Sequence, residues 1–218
     1  MWETITSTNI DQYRSGTYAA TGIVWRAGPL DVEILKLFPN LRKLDCCRTG
    51  LVTLAGIEVC TQLEELACFR NSLTTLAGIE YCPNLRRLEC ETNKLSSLHG
   101  IEHCTQLTKL ICSKNKIVSL EPLMNCSQLR ELECHRNQLV KLKGLENCTE
   151  LHKLFCYGNA LSNLVGIQRC AQLEQLICAD NRLVDLTGIE GCTRLRTLLS
   201  QRNRLTSLTG LENCTQLQ

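Results

Sequence analysis

The chain has 218 residues, 24 Lys+Arg against 22 Asp+Glu, 16 cysteines and only 4 % aromatic residues. With 44 % hydrophobic and 21 % charged residues and a net charge of +2, it is neither a disordered chain, nor a polycationic nucleic-acid arm, nor an acidic tail. Its uncharged apolar runs are too short to span a bilayer, and Met1-Trp2-Glu3-Thr4-Ile5-Thr6 has neither the basic nor the apolar region of a secretory signal.

The expectation is a soluble intracellular protein. In chain order, residues 1–28 contain Thr/Ser/Gly-rich stretches around a β-prone Gly22-Ile23-Val24-Trp25. Asp31 is placed to N-cap a helix over Val32-Glu33-Ile34-Leu35-Lys36-Leu37-Phe38, and Pro39 stops it.

From residue 41 a strict period begins. Leucine stands at 41, 63, 85, 107, 129, 151, 173, 195 and 217, every 22 residues, giving eight full repeats over 41–216 and the start of a ninth at Leu217-Gln218. Counting each leucine as position 1, a repeat reads L-x-x-L-x-C-x-x-N-x-L-x-x-L-x-G-(I/L)-E-x-C. A period of 20–29 residues with an L-x-x-L-x-(L/C)-x-x-N core is the signature of a leucine-rich repeat. The predicted fold is therefore an α/β solenoid: a right-handed leucine-rich-repeat horseshoe with a parallel β-sheet on its concave face. Residues 1–40 would form an N-terminal cap, since the end of a stacked core needs covering, with Trp2 and Trp25 in the plug and Leu35 and Phe38 filling positions 17 and 20 of a degenerate repeat.

Positions 4 and 6 are apolar and two apart, so both point inward from a short strand. Strands stacked at ~4.8 Å then make a ladder, and eight of them a concave sheet about 38 Å long. Position 9 is Asn in every repeat but the first, where it is Thr49, and its amide can bond backbone groups of its own and the next coil. Position 16 is Gly, except Pro122, and marks the turn into a convex segment with a short helical turn near positions 16–20.

Fifteen cysteines fall at positions 6 and 20, and Cys47 stands apart facing outward beside Arg48. Small apolar thiols packed inside the solenoid account for the fifteen, with disulfides and metal ligation as the alternatives; no C-x-x-C pair occurs, so no metal site is assigned. Inward reduced thiols fit a reducing compartment, hence a cytoplasmic or nuclear location. The sequons at Asn125, Asn147 and Asn213 follow from Ser/Thr at position 21 and read as unused.

With L-x-x-L-x-C-x-x-N-x-L-x-x-L-x-G-I-E at a 22-residue period, about four-fifths of the chain resembles the leucine-rich repeats typified by the nuclear regulatory subunit of protein phosphatase 1. Listeria internalins and an axonemal dynein light chain are similar. The resemblance implies a non-catalytic scaffold that binds a protein partner on the concave sheet, with a phosphatase catalytic subunit as one candidate. This chain departs from the class by carrying Cys for Leu at positions 6 and 20. It also has no C-terminal cap after Leu217-Gln218, which points to a fragment of a longer protein.

Positions 3, 5, 7 and 8 should face out of the concave sheet. The apolar set Phe155, Tyr157, Ile177, Ala179 and Leu199 lies in repeats 6–8, where interface hot spots would concentrate. Glu89, Glu91, Glu131, Glu133 and His135 give an acidic centre, and Phe69, Arg70, Ile111 and Lys114 complete the partner-binding set. Positions 8 and 10 carry nine Lys/Arg against one acid, Asp180, and position 18 carries six glutamates, so a basic and an acidic stripe should run along the flanks. The basic stripe supports the alternative of nucleic-acid or phosphate-backbone binding, although interleaved aromatics are missing. No nucleophile with oxyanion donors, glycine-rich phosphate loop or H-E-x-x-H is present, so neither an enzyme nor a cofactor is expected, and the working form is a monomer.

Overall fold

The computed structural model describes residues 2–13 and 16–218; for Trp2 only the backbone is described, so its predicted place in the plug lies outside the described side chains. Ten strands form one parallel sheet in strict chain order. They are β1 (Trp2–Thr6), β2 (Gly22–Arg26), β3 (Lys43–Asp45), β4 (Glu65–Ala67), β5 (Arg87–Glu89), β6 (Lys109–Ile111), β7 (Glu131–Glu133), β8 (Lys153–Phe155), β9 (Gln175–Ile177) and β10 (Thr197–Leu199). From β3 onward each Cα pairs with the residue one repeat on, as in Leu132↔Leu154 and Leu154↔Leu176, so every repeat position becomes a straight row across the sheet.

The segment expected to cap the solenoid extends the sheet by two strands. β1 pairs with β2 through Ile5↔Trp25, and β2 with β3 through Ile23↔Leu44. Helix α1 (Val32–Leu35) is shorter than expected and is capped by Asp31, whose carboxylate accepts from the backbone N–H of Glu33 and Ile34. Trp25, Leu35 and Phe38 are buried, and the Trp25 indole N–H donates to the Gly28 carbonyl at 3.0 Å. The cap is pinned to the first repeat by Arg26 and Asp45, 3.1 Å apart.

Rows at positions 1, 4, 6, 11, 14, 17 and 20 bury almost all their side chains into a single core. One coil cannot enclose its own apolar face, so burial comes from stacking. Polar satisfaction is also shared between coils. Asn93 donates to the Cys90 carbonyl of its own coil and the Cys68 carbonyl of the coil before it, and its Oδ1 accepts from Leu73 N–H at 2.9 Å. The amide thus serves the preceding coil, where the sequence suggested the next. In the first repeat Thr49 holds this place, and its hydroxyl donates to the Cys46 carbonyl of its own coil.

The glutamates at position 18 are structural. Gly144 N–H donates to Glu146 at 2.7 Å, and the same bond recurs from Gly56 to Glu58 through Gly210 to Glu212, with Gln168 serving Gly166. The repeat with Pro122 has no N–H at that point, and there position 18 is Met124. Glycine is required beside this cap: Gly144 has φ +109°, and a Cβ would sit 2.1 Å from the Leu120 carbonyl oxygen. Convex 3₁₀ turns follow in the first four repeats, at Ile57–Val59, Ile79–Tyr81, Ile101–His103 and Glu121–Asn125.

All sixteen cysteines are free and buried. Position-20 thiols point along the stack, as in Cys170, whose Sγ lies 3.4 Å from the Cys148 carbonyl. Burial pushes Cys60, Cys82 and Cys104 up to about 12. Cys47 corrects the outward assignment: it is 3 % exposed, and burial and then Asp45 raise its pKa. Arg48 beside it does not activate the thiol.

Candidate functional site

The rows that face out of the sheet divide into four strips with different chemistry. Position 3 is a ladder of mutually neutralised charges. Lys43 meets Glu65 at 2.7 Å, and Glu131 is held between Lys109 at 2.6 Å and Lys153 at 3.4 Å. Its bond to Lys109 leads in holding the Glu131 carboxyl below its ordinary value. Glu131 is thus taken out of the acidic centre expected from sequence, and Glu89 is paired with Arg87. Glu91 and Glu133 form no ion pair among the described residues.

Position 5 is the row Glu89↔Ile111↔Glu133↔Phe155↔Ile177↔Leu199, neighbours by register. Phe155 and Ile177 are half-buried and Leu199 is 42 % exposed, while Leu154 and Leu176 between the rows are fully buried. The inward and outward assignment of the strand positions therefore holds, and the apolar set of repeats 6–8 is contiguous apart from Ala179, which is only 4 % exposed.

Position 7 is not a solvated row. Small residues there (Cys47, Ser113 and Ala179) are buried, and larger ones (Phe69, Glu91, His135 and Tyr157) are half-buried. The cause is the next residue. Position 8 is left-handed in all eight repeats, with φ +53° to +56° at Arg48, Arg70, Thr92, Lys114, Arg136, Asp180 and Arg202 and φ +66° at Gly158. The chain turns sharply after the strand and tucks position 7 against its neighbours. His135 and Tyr157 stack in consequence, and burial, then Arg136 and Lys114, bring the imidazole down to about 4. Three side-chain atoms without any hydrogen-bond partner lie in this row, in consecutive repeats: Glu91 Oε2, Ser113 Oγ and His135 Nδ1. Ser113 was missed from sequence because a serine on a strand face ordinarily reads as solvated.

The basic stripe is present and unpaired. Arg48, Arg70, Lys94, Lys114, Lys116, Arg136, Arg182 and Arg204 are exposed and make no ion pair among the described residues; only Arg202 meets an acid, Asp180, at 3.4 Å. No helix among the described residues is long and apolar enough to cross a membrane.

These features define a leucine-rich-repeat solenoid. A family model described as Leucine Rich repeats (2 copies) matches residues 105–147 and 171–213. No curated protein matches the chain in sequence. Among solved structures, a leucine-rich-repeat protein of Leptospira interrogans superposes with a TM-score of 0.82 at 24 % identity, over 90 % of this chain and 53 % of the other. Internalin C2 of Listeria monocytogenes gives 0.74 at 22 %, covering 86 % of this chain and 82 % of its own. The functional domain of InlJ from Listeria monocytogenes, described as including a cysteine ladder, gives 0.59 at 23 %, over 88 % and 50 %. At these identities the likeness is one of fold.

Proposed function

We propose that the protein is a non-catalytic scaffold that binds a protein partner on its concave sheet. The observation that carries this reading is the row Phe155, Ile177 and Leu199 with Tyr157 beside it: large apolar side chains on consecutive rungs, outside a core that is already complete. Scattered exposed apolar residues need no explanation, but a contiguous aromatic-aliphatic strip flanked by charge has the composition of an interface centre. Its buried, reduced thiols suit a reducing compartment, which supports a cytoplasmic or nuclear location. The phosphatase-subunit version rests on the Gly-Ile-Glu element, and the glycine-capping role of that glutamate accounts for the element without a catalytic partner. Affinity capture with wild type and with Phe155→Ala/Tyr157→Ala tests the reading, using Val165→Ala on the exposed convex side as control. Proteins retained by wild type and control but lost from the double variant support it; an identical set from all three overturns it.

The unpaired basic stripe favours one second reading, contact with a phosphate backbone. Each phosphate contact contributes a log–log salt slope of about −0.7 to −0.9. Micromolar binding to heterogeneous RNA at ~150 mM salt, lost on reversing Arg70, Lys114 and Arg136, would establish it over the protein-partner reading.

A further inference from the structure

We propose that the basic flank of repeats 2 to 5 binds an acidic segment of the protein partner, one in which carboxylates are interspersed with aliphatic side chains. The inference deepens the protein-binding reading and rests on it. It starts from a conflict between residue type and backbone. Position 8 is left-handed in every repeat, a conformation that glycine adopts freely, that asparagine and aspartate tolerate, and that other side chains enter against steric resistance. The fold accepts the easier residues there, since Gly158 and Asp180 hold the position in repeats 6 and 7. Five of the eight repeats nevertheless carry a long cation, at Arg48, Arg70, Lys114, Arg136 and Arg202. Among the described residues only Arg202 of these forms an ion pair, so the strain is not offset by a charge partner within the chain. Strain kept in this way marks a functional position.

The sign of the row adds to its cost. Arg48 and Arg70 stand one rung apart, as do Lys114 and Arg136, and like charges at that spacing repel. At position 3 the same chain sets Lys43 against Glu65 and Lys109 against Glu131, so a repetitive surface is kept polar there by paired charges. Solubility therefore does not require a row of one sign.

The neighbouring rows name the ligand. Beyond the turn, Asn at position 9 and Leu or Ile at position 11 face inward, which leaves positions 10 and 12 outward on one side. Lys94 and Lys116 add charge at position 10, while Val118 and Val140 at position 12 are 55 % and 52 % exposed on adjacent rungs. The flank of repeats 4 and 5 is thus cationic along one line and aliphatic along the next. Positions 8, 10 and 12 hold no aromatic residue in any repeat, so nucleic-acid bases would find no ring to stack on. Carboxylates with aliphatic side chains beside them match both lines, whereas a phosphate backbone matches only the first.

The test immobilises the full chain and offers pools of random peptides of about 15 residues at ~150 mM salt, where weak exposed charge contacts are screened. One pool is built from Asp, Glu, Leu, Val and Ser, a second has Asn and Gln in place of the acids, and a third has Gly in place of the aliphatic residues. Wild type should retain the first pool at least about tenfold over the second, and more than the third. Arg70→Gly/Lys114→Gly/Arg136→Gly should bring the first ratio to about one without lowering the melting temperature. Arg130→Gln/Arg169→Gln/Arg196→Gln, which removes the same charge from exposed sites elsewhere, should leave it unchanged. Equal retention of the acidic and amide pools by wild type overturns the proposal, and so does retention of no pool at all. A preference that survives the glycine variant, or that falls equally in the control, overturns it as well. A glycine variant that melts lower would show that the cations stabilise their own coils, which also overturns it. A heterogeneous RNA of similar length held more tightly than the acidic-aliphatic pool replaces the acidic segment with a phosphate backbone. Lysate capture with Phe155→Ala/Tyr157→Ala leaves the flank intact, so it decides the concave-face reading separately from these outcomes.

Discussion

His135 and Tyr157 lie face to face across adjacent repeats, ring centroids 4.2 Å apart and planes 9° from parallel. The stack keeps the imidazole half-buried and its pKa near 4. An unfolded histidine titrates near 6.5, so between about pH 6.5 and 4 the unfolded chain binds a proton that the folded chain does not. Stability should therefore fall as pH drops through that window and level off below it. Urea midpoints for wild type and His135→Gln across pH 4 to 7 check this: the wild type should lose more, and equal losses would show that the histidine is not held neutral by the fold.

Glu91 works in the opposite sense. Its carboxyl is raised, mainly by burial and then by Glu89 and Glu133, so the folded state favours the protonated form and stability declines as pH rises through the raised value. Glu91→Gln should be more stable than wild type at pH 7 and indistinguishable from it near pH 4. A variant less stable at pH 7 would mean that the carboxylate has a partner within the chain.

Glu146 should be replaceable only by a residue that keeps its acceptor. Glu146→Ala leaves the Gly144 N–H unmade and should cost about 1–3 kcal/mol in chemical denaturation, whereas Glu146→Gln should cost well under 1, because Gln168 already does this work in its own repeat. In the same assay Met124→Glu should gain nothing, there being no N–H on Pro122 to bond.

Leu154 and Phe155 are adjacent but belong to opposite faces. Leu154→Ala opens a cavity in the core at about 2–5 kcal/mol, while Phe155→Ala should cost about 1 kcal/mol or less, since its ring lies outside the core. Thermal melts of the two variants separate them; comparable losses would move Phe155 into the core and remove it from the binding face.

Thiol accessibility tests the cysteine rows. Denatured protein should titrate all 16 thiols, and native protein almost none within minutes, Cys47 included, with reaction following transient opening of the coils. Immediate labelling of Cys47 would restore it to the surface, and preformed disulfides would contradict the packing of both rows.

The fold was legible because a 22-residue period repeats the same burial pattern eight times, and the in-register sheet turns each repeat position into a row. Leu154 inward and Phe155 outward follow from strand alternation alone. What the repeat could not show is the left-handed residue at position 8, because Arg48, Arg70, Lys114 and Arg136 are not residue types that announce a positive φ. Missing that turn misplaced Cys47 and Ala179 and hid Ser113. The glutamates at position 18 were visible as charges but not as caps, since the glycine N–H they bond belongs to the backbone. Position-3 pairing, likewise, depends on lateral register rather than on any one repeat.

The asparagine row has a direction. Asn71 completes Leu51 and Cys46, Asn93 completes Leu73 and Cys68, and the pattern runs on to Asn203, which completes Leu183 and Cys178. Each coil is thus left with an open donor and acceptor until its successor arrives, and synthesis delivers the coils in that order. A nascent chain can add one turn at a time onto a finished platform, while a break in the array leaves its two sides unequal: the upstream side lacks the amide that closes it, and the downstream side keeps an amide with nothing behind it to close.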